Sequence, residues 1–357
     1  METDRNTSSD DGFQIAGRPI GTEQPPYIVA ELSANHGQDF EEAVRLIEAA
    51  AAAGADAVKL QTYTPDTLTI DCHQPHFRIE GTIWAGRTLY DLYGEAYTPW
   101  EWQPRLKQVA GDLGLHLFST PFDATAVDFL EAMEVPAYKV ASFELVDLPL
   151  LRRVAGTGKP IILSTGMASL AEIDEAVQTI RQAGGRQLAL LKCTSAYPAP
   201  PDRMDLRTIP HLAEAFHLPV GLSDHTLSVA VPAAAVALGA SIIEKHFTLS
   251  RDKPGCDGPF SLEPHEFREM VRAARTAQEA LGAVRYGAGE HEADSRRFRR
   301  SLFVVEDVRA GEPFTGRNVR SIRPGNGLHT RYLEEILRRV ARCDVARGTP
   351  LEWKHVG

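Results

Sequence analysis

Short apolar runs alternate with alanine-rich or amphipathic stretches over most of the chain. Residues 27–32 predict a buried strand, and residues 41–53 predict a helix that ends at Gly54, a residue type favoured just past helix ends. Further strands are predicted at residues 57–61, 115–119, 137–141, 160–163, 187–192, 219–222 and 241–244, with helices between them and at 264–281. These make eight strand–helix units. They cover about the 250 residues that a (β/α)8 TIM barrel needs.

Polar residues at the strand ends favour this barrel over a doubly wound open sheet, which the alternation alone would also permit. No GxGxxG motif follows the first strand, and this weakens the dinucleotide-binding alternative. Polar side chains stand at or just past the carboxyl ends of the predicted strands: Glu31, Lys59, Gln61, Thr120, Ser142, Glu144, Ser164, Thr165, Ser195, Tyr197, Ser223, His225 and His246. Because barrel enzymes have their active sites at this rim, we expect the functional site there.

Two of these polar residues suggest a metal site. His225 follows the strand predicted at 219–222 and His246 follows the strand predicted at 241–244, with an alanine-rich helix between the strands. A helical crossover makes the strands parallel, so both imidazoles reach the same rim. Two neutral imidazoles with water or a carboxylate predict a divalent-metal site. The alternative is that each histidine caps its strand and bonds a backbone carbonyl.

The remaining segments are a long insertion in the barrel and a second, smaller domain after it. Residues 62–100 form a long aromatic-rich insertion, which we expect to be an ordered lid or pocket wall. Residues 301–357 combine short alternating runs with Gly and Pro, typical of a small β-rich domain, with one helix predicted at 330–339. The predicted organisation is a disordered leader at 1–14, a barrel domain at 15–282, a linker at 283–300 and the small domain at 301–357.

Charge and cysteine usage exclude several classes of function. The formal net charge of −10 argues against a nucleic-acid partner. The four cysteines are scattered without CxxC spacing, which is typical of a reducing compartment. The polar N-terminus does not resemble a secretory signal, and no apolar run is long enough to span a bilayer. We therefore expect a cytoplasmic protein with small-molecule partners.

Three lysines lie in or at the end of predicted barrel strands: Lys59, Lys139 and Lys245. A lysine in such a position is costly unless it meets an anion. With the rim hydroxyls, the three resemble a phosphate-binding cradle. A single Schiff-base lysine is an alternative, as is an ion pair with a barrel glutamate. The ion-pair reading suits Lys245 best, with Glu244 as its partner.

Glu31 ends the first predicted strand. A carboxylate at the rim can act as a general base or orient a water molecule. Its alternative role is an ion pair with Lys59 across the barrel floor, and the two roles are compatible.

Nine short motifs together resemble the sialic acid synthase family. They are AELSANHG, VKLQT, STPFD, YKVAS, LSTGM, CTSAYP, GLSDHT, EKHFT and RPGNG. The stretches SANH, GTIWAGRTLYDLYGEAYTPWEW and FSLEPHEF are similar to the pseudaminic acid synthase branch. The resemblance implies a TIM barrel followed by a small antifreeze-like (SAF) domain. It also implies condensation of phosphoenolpyruvate with an N-acylated hexose, here 2,4-diacetamido-2,4,6-trideoxy-L-altrose, with Mn²⁺ or Mg²⁺. N-acetylneuraminate or legionaminate synthesis is the alternative within the family.

The resemblance also implies roles for individual residues. The metal ligands would be His225 and His246, and Glu31 would lie near the reacting carbons. Contacts to phosphoenolpyruvate would come from Lys59, Thr120, Lys139, Ser142, Ser164, Ser195 and Ser223, and contacts to the sugar from Gln61, Glu144, Tyr197 and Asp257. Arg323 would reach the active site of the other subunit in a domain-swapped homodimer. The loop ANHGQDF departs from the family, which usually has an extra Asn or Glu before the Gly.

A different class of function is a binding protein, in which the C-terminal domain is a carbohydrate- or surface-binding module and the barrel is a degenerate scaffold. The presence of both histidines and of all the cradle positions argues against degeneracy.

Overall fold

The computed structural model describes residues 12–253, 255–287 and 289–357. The chain falls into two compact units that divide between Gly282 and Ala283. Residues 1–11 of the predicted leader lie outside the described residues. Phe13 and Gln14, predicted as leader, belong to the folded barrel unit, because Phe13 is buried and Gln14–Ile15 pairs with Arg18–Pro19.

Eight parallel strands form a closed barrel in the first unit, as the sequence predicts. In chain order they are β1 Tyr27–Glu31, β2 Ala57–Thr62, β3 His116–Pro121, β4 Tyr138–Val140, β5 Ile161–Ser164, β6 Leu188–Cys193, β7 Val220–Asp224 and β8 Ile242–His246. Each strand pairs with its neighbours in sequence, and β8 closes the barrel on β1, where His246 stands opposite Glu31. Closure therefore brings all eight carboxyl ends to one rim.

Helices follow the strands and cover the barrel. They are Phe40–Ala53, Pro65–Leu68, Leu89–Ala96, Gln103–Asp112, Ala124–Ala132, Leu148–Ala155, Leu170–Gln182, Thr208–Phe216, Ala230–Ala237 and Pro264–Leu281. The first begins at Asp39, whose side chain accepts two backbone N–H groups of the first turn. It ends at Gly54 in the left-handed conformation, as predicted. None of the helices in the described part of the chain combines the length and apolar character that crossing a lipid bilayer requires.

The strands β7 and β8 extend further than the apolar pattern suggests. Ser223 and Asp224 lie within β7, and Lys245 and His246 lie within β8, although the sequence predicts all four just after the strands. The apolar runs end early because polar residues continue the strands into the barrel mouth. Since successive side chains of a strand point to opposite faces, Lys245 and His246 cannot both face the interior.

The insertion after β2 is ordered and packs on the barrel mouth. It contains short 3₁₀ turns at Pro75–Phe77 and Trp100–Trp102 besides its helices. Leu92 of the insertion forms a small apolar cluster with Ala34 and Cys256, which lie in the loops after β1 and β8. The insertion is therefore a fixed wall beside the rim, as the sequence predicts.

The second unit is a small β-containing fold with its own core. Strand β9, Ser301–Val304, pairs antiparallel with β10, Val319–Ile322. Its buried core includes Leu302, Val304, Phe314, Ile336 and Leu351, among others. Residues 283–300, predicted as a linker, belong to this unit and contain 3₁₀ turns at Glu290–Glu292 and Asp294–Phe298.

The helix predicted at 330–339 is shorter in the structure. A 3₁₀ turn, Thr330–Tyr332, leads into one helical segment, Leu333–Ile336. The chain leaves the helix because the carbonyl of Arg339 accepts the N–H of Phe314 and Val340 forms a bridge with Pro313. Long-range pairing thus overrides the local helical pattern.

Candidate active site

Two lysines and two glutamates form a buried charged cluster inside the barrel mouth. The Nζ atom of Lys59 is 2.8 Å from Glu31 Oε2 and 3.5 Å from Glu244 Oε1. The Nζ atom of Lys139 is 3.8 Å from the same Glu244 oxygen. All four side chains are almost completely buried. With both carboxylates ionised the cluster is neutral, and protonation of one carboxylate would leave a net positive charge in the pocket.

Burial and the neighbouring charges separate the proton affinities within this cluster. Burial raises the pKa of Glu31 to about 7, against the opposing effect of Lys59. Burial alone would raise the pKa of Glu244 as well, but the ammonium groups of Lys139 and Lys59 outweigh it and lower that pKa. Burial lowers the pKa of Lys139. Glu31 is therefore the member of the cluster that can gain or lose a proton near neutral pH.

Hydroxyl groups from the alternate strands β3, β5 and β7 line the charged cluster. Thr120 Oγ1 is 3.2 Å from Lys59 Nζ, and Ser164 Oγ is 2.7 Å from Lys139 Nζ. Ser223 donates to Glu244 Oε1 at 3.0 Å. These groups come from different strands and converge only because the barrel closes.

The LSTGM motif brings backbone close to two more of the predicted hydroxyls. The N–H of Gly166 donates to Ser142 Oγ at 3.0 Å. A Cβ atom at Gly166 would lie 2.3 Å from Ser195 Oγ and 2.7 Å from Ser142 Oγ. A larger residue at position 166 would therefore displace both serines, and glycine allows their hydroxyls to lie against the backbone of the motif.

Lys245 does not belong to this cluster, so the prediction that it joins the anion cradle is wrong. Its Nζ atom is 2.5 Å from Asp224 Oδ2, and both side chains are fully buried. The expected partner Glu244 is also wrong, because adjacent residues of β8 point to opposite faces. Lys245 instead forms an ion pair behind the barrel wall and also donates to the carbonyl of Thr226.

The two predicted metal ligands lie side by side at the rim. The ring centroids of His225 and His246 are 5.4 Å apart. His225 Nδ1 is 3.0 Å from the carbonyl of Thr194, so this nitrogen carries a proton, and in the neutral ring Nε2 keeps its lone pair. The alternative to metal binding is a hydrogen bond from the histidine to a backbone carbonyl. Nδ1 of His225 makes such a bond, and Nε2 is left for another ligand.

His246 fits a metal site because its Nδ1 is buried and makes no hydrogen bond to any described residue. Burial, followed by the proximity of His225, holds the pKa of His246 well below its usual value, so the ring is neutral as a metal ligand requires. The described residues contain no group of three or more His, Cys, Asp or Glu side chains arranged around one point. The protein thus offers a two-imidazole site whose other positions are open to substrate or water.

The predicted sugar-binding residues lie in the same barrel mouth, and two of them, Tyr197 and Asp257, lie beside the histidines. Gln61 donates to Glu31 Oε1 at 3.0 Å, and Asp257 Oδ2 is 3.8 Å from His246 Nδ1. One carboxyl oxygen of Glu144 is buried with no hydrogen-bond partner among the described residues, and burial raises the pKa of Glu144 to about 7. Such a carboxyl group is poised to bind a polar ligand group.

Aromatic rings form one side of the same pocket. The ring of Tyr197 lies 4.4 Å from that of His225, and the ring of Phe260 lies 4.8 Å from that of His246. Trp84 of the insertion packs 5.8 Å from Tyr197 and 6.2 Å from Phe260, between ring centroids. Its indole N–H donates to the carbonyl of Cys256 at 2.9 Å. The ring therefore offers only apolar surface to the pocket.

Comparison with known proteins identifies the family. The model of the NeuB family matches residues 46–286, and the model of the SAF domain matches residues 299–357. The chain belongs to the NeuB family. The sialic acid synthase resemblance, the barrel and the C-terminal SAF domain predicted from the sequence are thereby confirmed.

Relatives of this NeuB-family protein are synthases. The pseudaminic acid synthase of Helicobacter pylori is 43% identical over 329 residues, which are 92% of this chain and 97% of that protein. The N,N'-diacetyllegionaminic acid synthase of Legionella pneumophila is 34% identical over 344 residues, or 95% and 97% of the two chains. The crystal structure of an N-acetylneuraminic acid synthetase from Leptospira borgpetersenii, in complex with citrate, matches with a TM-score of 0.71 and 30% identity over 79% of this chain and 94% of that chain. The protein is therefore an enzyme of the phosphoenolpyruvate-condensing, nonulosonate synthase type.

The remaining predicted site residue of this NeuB-family enzyme lies in the other unit. Arg323 directly follows β10, in the SAF domain, and its side chain is exposed. All other predicted site residues lie around the barrel mouth. A role of Arg323 at a barrel therefore stays a prediction.

Two important residues of the site were not among the predicted site residues. Glu244 joins the two lysines, and Phe260 packs on His246. Strand alternation would have revealed Glu244, because a residue two positions before His246 in the same strand faces the same side. Phe260 begins the FSLEPHEF stretch, but that resemblance assigns it no contact, and it reaches His246 through the fold of the loop after β8.

Proposed function

We propose that this enzyme is a pseudaminic acid synthase, which condenses phosphoenolpyruvate with 2,4-diacetamido-2,4,6-trideoxy-L-altrose and releases phosphate. The observation that carries the proposal is the buried set of Lys59, Lys139, Glu31 and Glu244 in the same barrel mouth as the two imidazoles of His225 and His246. Buried cations surrounded by hydroxyl donors suit a phosphorylated carboxylate substrate. The 43% identity with the enzyme of Helicobacter pylori supports this choice of sugar.

In this proposal phosphoenolpyruvate lies over the two lysines. Thr120 and Ser164 already bond the ammonium groups and can turn their hydroxyls to the bound anion. The hydroxyl of Ser142, which accepts the N–H of Gly166, and the hydroxyl of Ser195 supply further donors. Donors fixed in advance stabilise the charge on the phosphate as it leaves.

Glu31 acts on water in the proposed reaction. C3 of phosphoenolpyruvate forms a bond with the aldehyde carbon of the sugar, water adds to C2, and the C2–O bond to phosphate breaks. A carboxyl group whose pKa is about 7 can accept the proton of that water near neutral pH. Lys59, 2.8 Å away, stabilises the ionised form of Glu31 before the transfer.

A divalent cation, Mn²⁺ or Mg²⁺, is proposed at His225 and His246. When bound, it would polarise the carbonyl oxygen of the open-chain sugar as a Lewis acid. The chain's own contribution is to present two imidazole rings, one of them oriented by the carbonyl of Thr194, and to leave the other positions open. Mg²⁺ and Mn²⁺ both favour oxygen ligands, which the substrate and water would supply beside the two imidazoles.

The aromatic wall supports a deoxy sugar. Trp84 presents no hydrogen-bonding group to the pocket because its N–H is bonded to the carbonyl of Cys256. A hydroxyl held against such a surface would lose its hydrogen bonds to water, whereas a methyl group would gain by burial. We therefore expect the 6-deoxy sugar to be preferred over N-acetylmannosamine. The relatives that make N,N'-diacetyllegionaminic and N-acetylneuraminic acid are the reason to keep those two products as alternatives.

The proposed partner is a second copy of the chain. In a symmetric dimer Arg323 of each subunit would reach the barrel mouth of the other, since a two-fold axis makes both exchanges equivalent. Arg323→Ala and Glu31→Ala should each be nearly inactive. Their mixture should regain activity after subunit exchange, because one mixed site combines an intact Glu31 with an intact Arg323. Demonstrated exchange without recovery of activity would contradict the action of Arg323 across the dimer.

The proposed function is tested by phosphate release from phosphoenolpyruvate with a panel of N-acylated hexoses, with and without EDTA. We expect release only with sugar and metal, and fastest with the 2,4-diacetamido-6-deoxy sugar. Equal or faster use of N-acetylmannosamine would favour a neuraminate synthase. No release with any sugar would favour a binding protein.

A further inference from the structure

Ser33, in the loop after β1, joins side chains from two sides of the barrel mouth. Its Oγ accepts a hydrogen bond from Gln61 Nε2 at 2.9 Å and donates to Asp257 Oδ2. Gln61 Nε2 also donates to Glu31 Oε1 at 3.0 Å. One continuous chain of hydrogen bonds therefore runs from Glu31 through Gln61 and Ser33 to Asp257. Neither the family resemblance nor the strand pattern assigns a role to Ser33.

The backbone of Ser33 adopts a conformation that serine disfavours. Its φ angle is +45°, in the left-handed region, and the side chain is buried. A non-glycine residue there is uncommon, and glycine would adopt the same angle without a steric cost. Strained residues of this kind concentrate at functional sites, where the surrounding structure holds them. Glycine would satisfy the backbone of this turn, so the hydroxyl must account for the serine.

The hydrogen-bond directions determine which atom Gln61 offers to a ligand. The hydrogen of the Ser33 hydroxyl is used by Asp257, so Oγ can only accept from Gln61. Glu31 Oε1 likewise accepts. Both hydrogens of the Gln61 amide are thereby engaged, and its carbonyl oxygen accepts no bond from any side chain in the described ranges.

We infer that Ser33 is a positioning residue that sets Gln61 to present a hydrogen-bond acceptor to the sugar and holds Asp257 in place beside His246. The inference rests on the proposed function. It adds that the sugar group bound by Gln61 is a donor, either a hydroxyl or an amide N–H. Without the Ser33 hydroxyl, Gln61 loses one of its two anchors and its amide is free to rotate.

Three substitutions of Ser33 distinguish the contribution of its hydroxyl group from that of its backbone conformation. Ser33→Ala removes the hydroxyl and keeps the strain, Ser33→Gly removes both, and Ser33→Thr keeps the hydroxyl at a greater steric cost. We expect Ser33→Ala and Ser33→Gly to lose about 10- to 100-fold in kcat/KM for the sugar, with KM for phosphoenolpyruvate changed less than about threefold. Ser33→Thr should retain kcat/KM within about threefold per folded molecule. The melting temperature of Ser33→Gly should exceed that of Ser33→Ala.

His217→Gly is the matched control for backbone strain. His217 is exposed at the end of helix Thr208–Phe216 with φ of +53°, and it has no place in the proposed site. This variant should gain thermal stability with unchanged kinetics.

Several results would overturn the role of Ser33. Wild-type activity in Ser33→Gly with a defect only in Ser33→Ala would show that the backbone conformation, and not the hydroxyl, matters at this position. Full activity in both variants would show that Ser33 has no positioning role. A loss confined to phosphoenolpyruvate, or a comparable kinetic loss in His217→Gly, would also contradict that role. The wild-type enzyme run in parallel tests the proposed function separately: if it releases no phosphate with any sugar, that function fails, and with it the sugar-positioning role.

Discussion

Removal of the Glu244 carboxylate is the perturbation whose effect the structure defines best. Its Oε1 lies 3.5 Å from Lys59 and 3.8 Å from Lys139, and it accepts the hydroxyl of Ser223 at 3.0 Å. Glu244→Ala leaves two buried ammonium groups with Glu31 as their remaining carboxylate. Loss of one partner from a buried charge pair costs about 3–5 kcal/mol. For a domain of this size that corresponds to a fall of about 10 °C in melting temperature.

The assay is thermal unfolding of wild type and variant, with and without inorganic phosphate. Phosphate can supply the missing negative charge, so it should raise the melting temperature of Glu244→Ala more than that of the wild type. Asp128→Asn is the control, because Asp128 pairs with Arg153 at the surface, where ion pairs contribute only about 0–1 kcal/mol. A melting temperature of Glu244→Ala within about 1 °C of wild type would refute the cluster as a strongly coupled charged unit.

The other predictions concern the metal, the sugar and pH. His225→Ala and His246→Ala should fold but bind Mn²⁺ at least about tenfold more weakly in a titration followed by electron paramagnetic resonance, and wild-type turnover at saturating metal would contradict their assignment. Trp84→Ala should reduce the preference for the 6-deoxy sugar over N-acetylmannosamine by about tenfold. The matched variant Trp100→Ala, whose indole donates to the carbonyl of Tyr63, should not, and an unchanged ratio in both would refute the aromatic wall. Because the base form of Glu31 is the ionised one and its pKa is about 7, kcat/KM should rise roughly tenfold from about pH 6 to pH 8, and a flat profile would exclude Glu31 as the base.

Strand periodicity explains how much of the site the sequence could reveal. The alternation of apolar runs and helices predicts the barrel and therefore the rim at which Lys59, Lys139 and the two histidines meet. The alternation of side chains along a strand also predicts that Glu244, two residues before His246, faces inward. Grouping Lys245 with the cradle overlooks the same alternation, because Lys245 and His246 point to opposite faces of β8.

Other features depend on contacts that no local pattern encodes. The pairing of Lys245 with Asp224 follows from the register of β7 and β8, in which these two residues are opposite each other. Phe260 reaches the histidines through a loop. The short helix Leu333–Ile336 ends where a distant segment pairs with residues 339 and 340.

The most direct test of the central claim is to identify both products of one reaction. Phosphoenolpyruvate, the 2,4-diacetamido-6-deoxy sugar and Mn²⁺ are incubated with the enzyme, and phosphate and sugar products are quantified together by a colorimetric assay and mass spectrometry. The account predicts one phosphate released for each new 2-keto acid, whose mass equals that of the sugar plus pyruvic acid. Phosphate release without this product, or consumption of phosphoenolpyruvate that does not depend on the sugar, would contradict it.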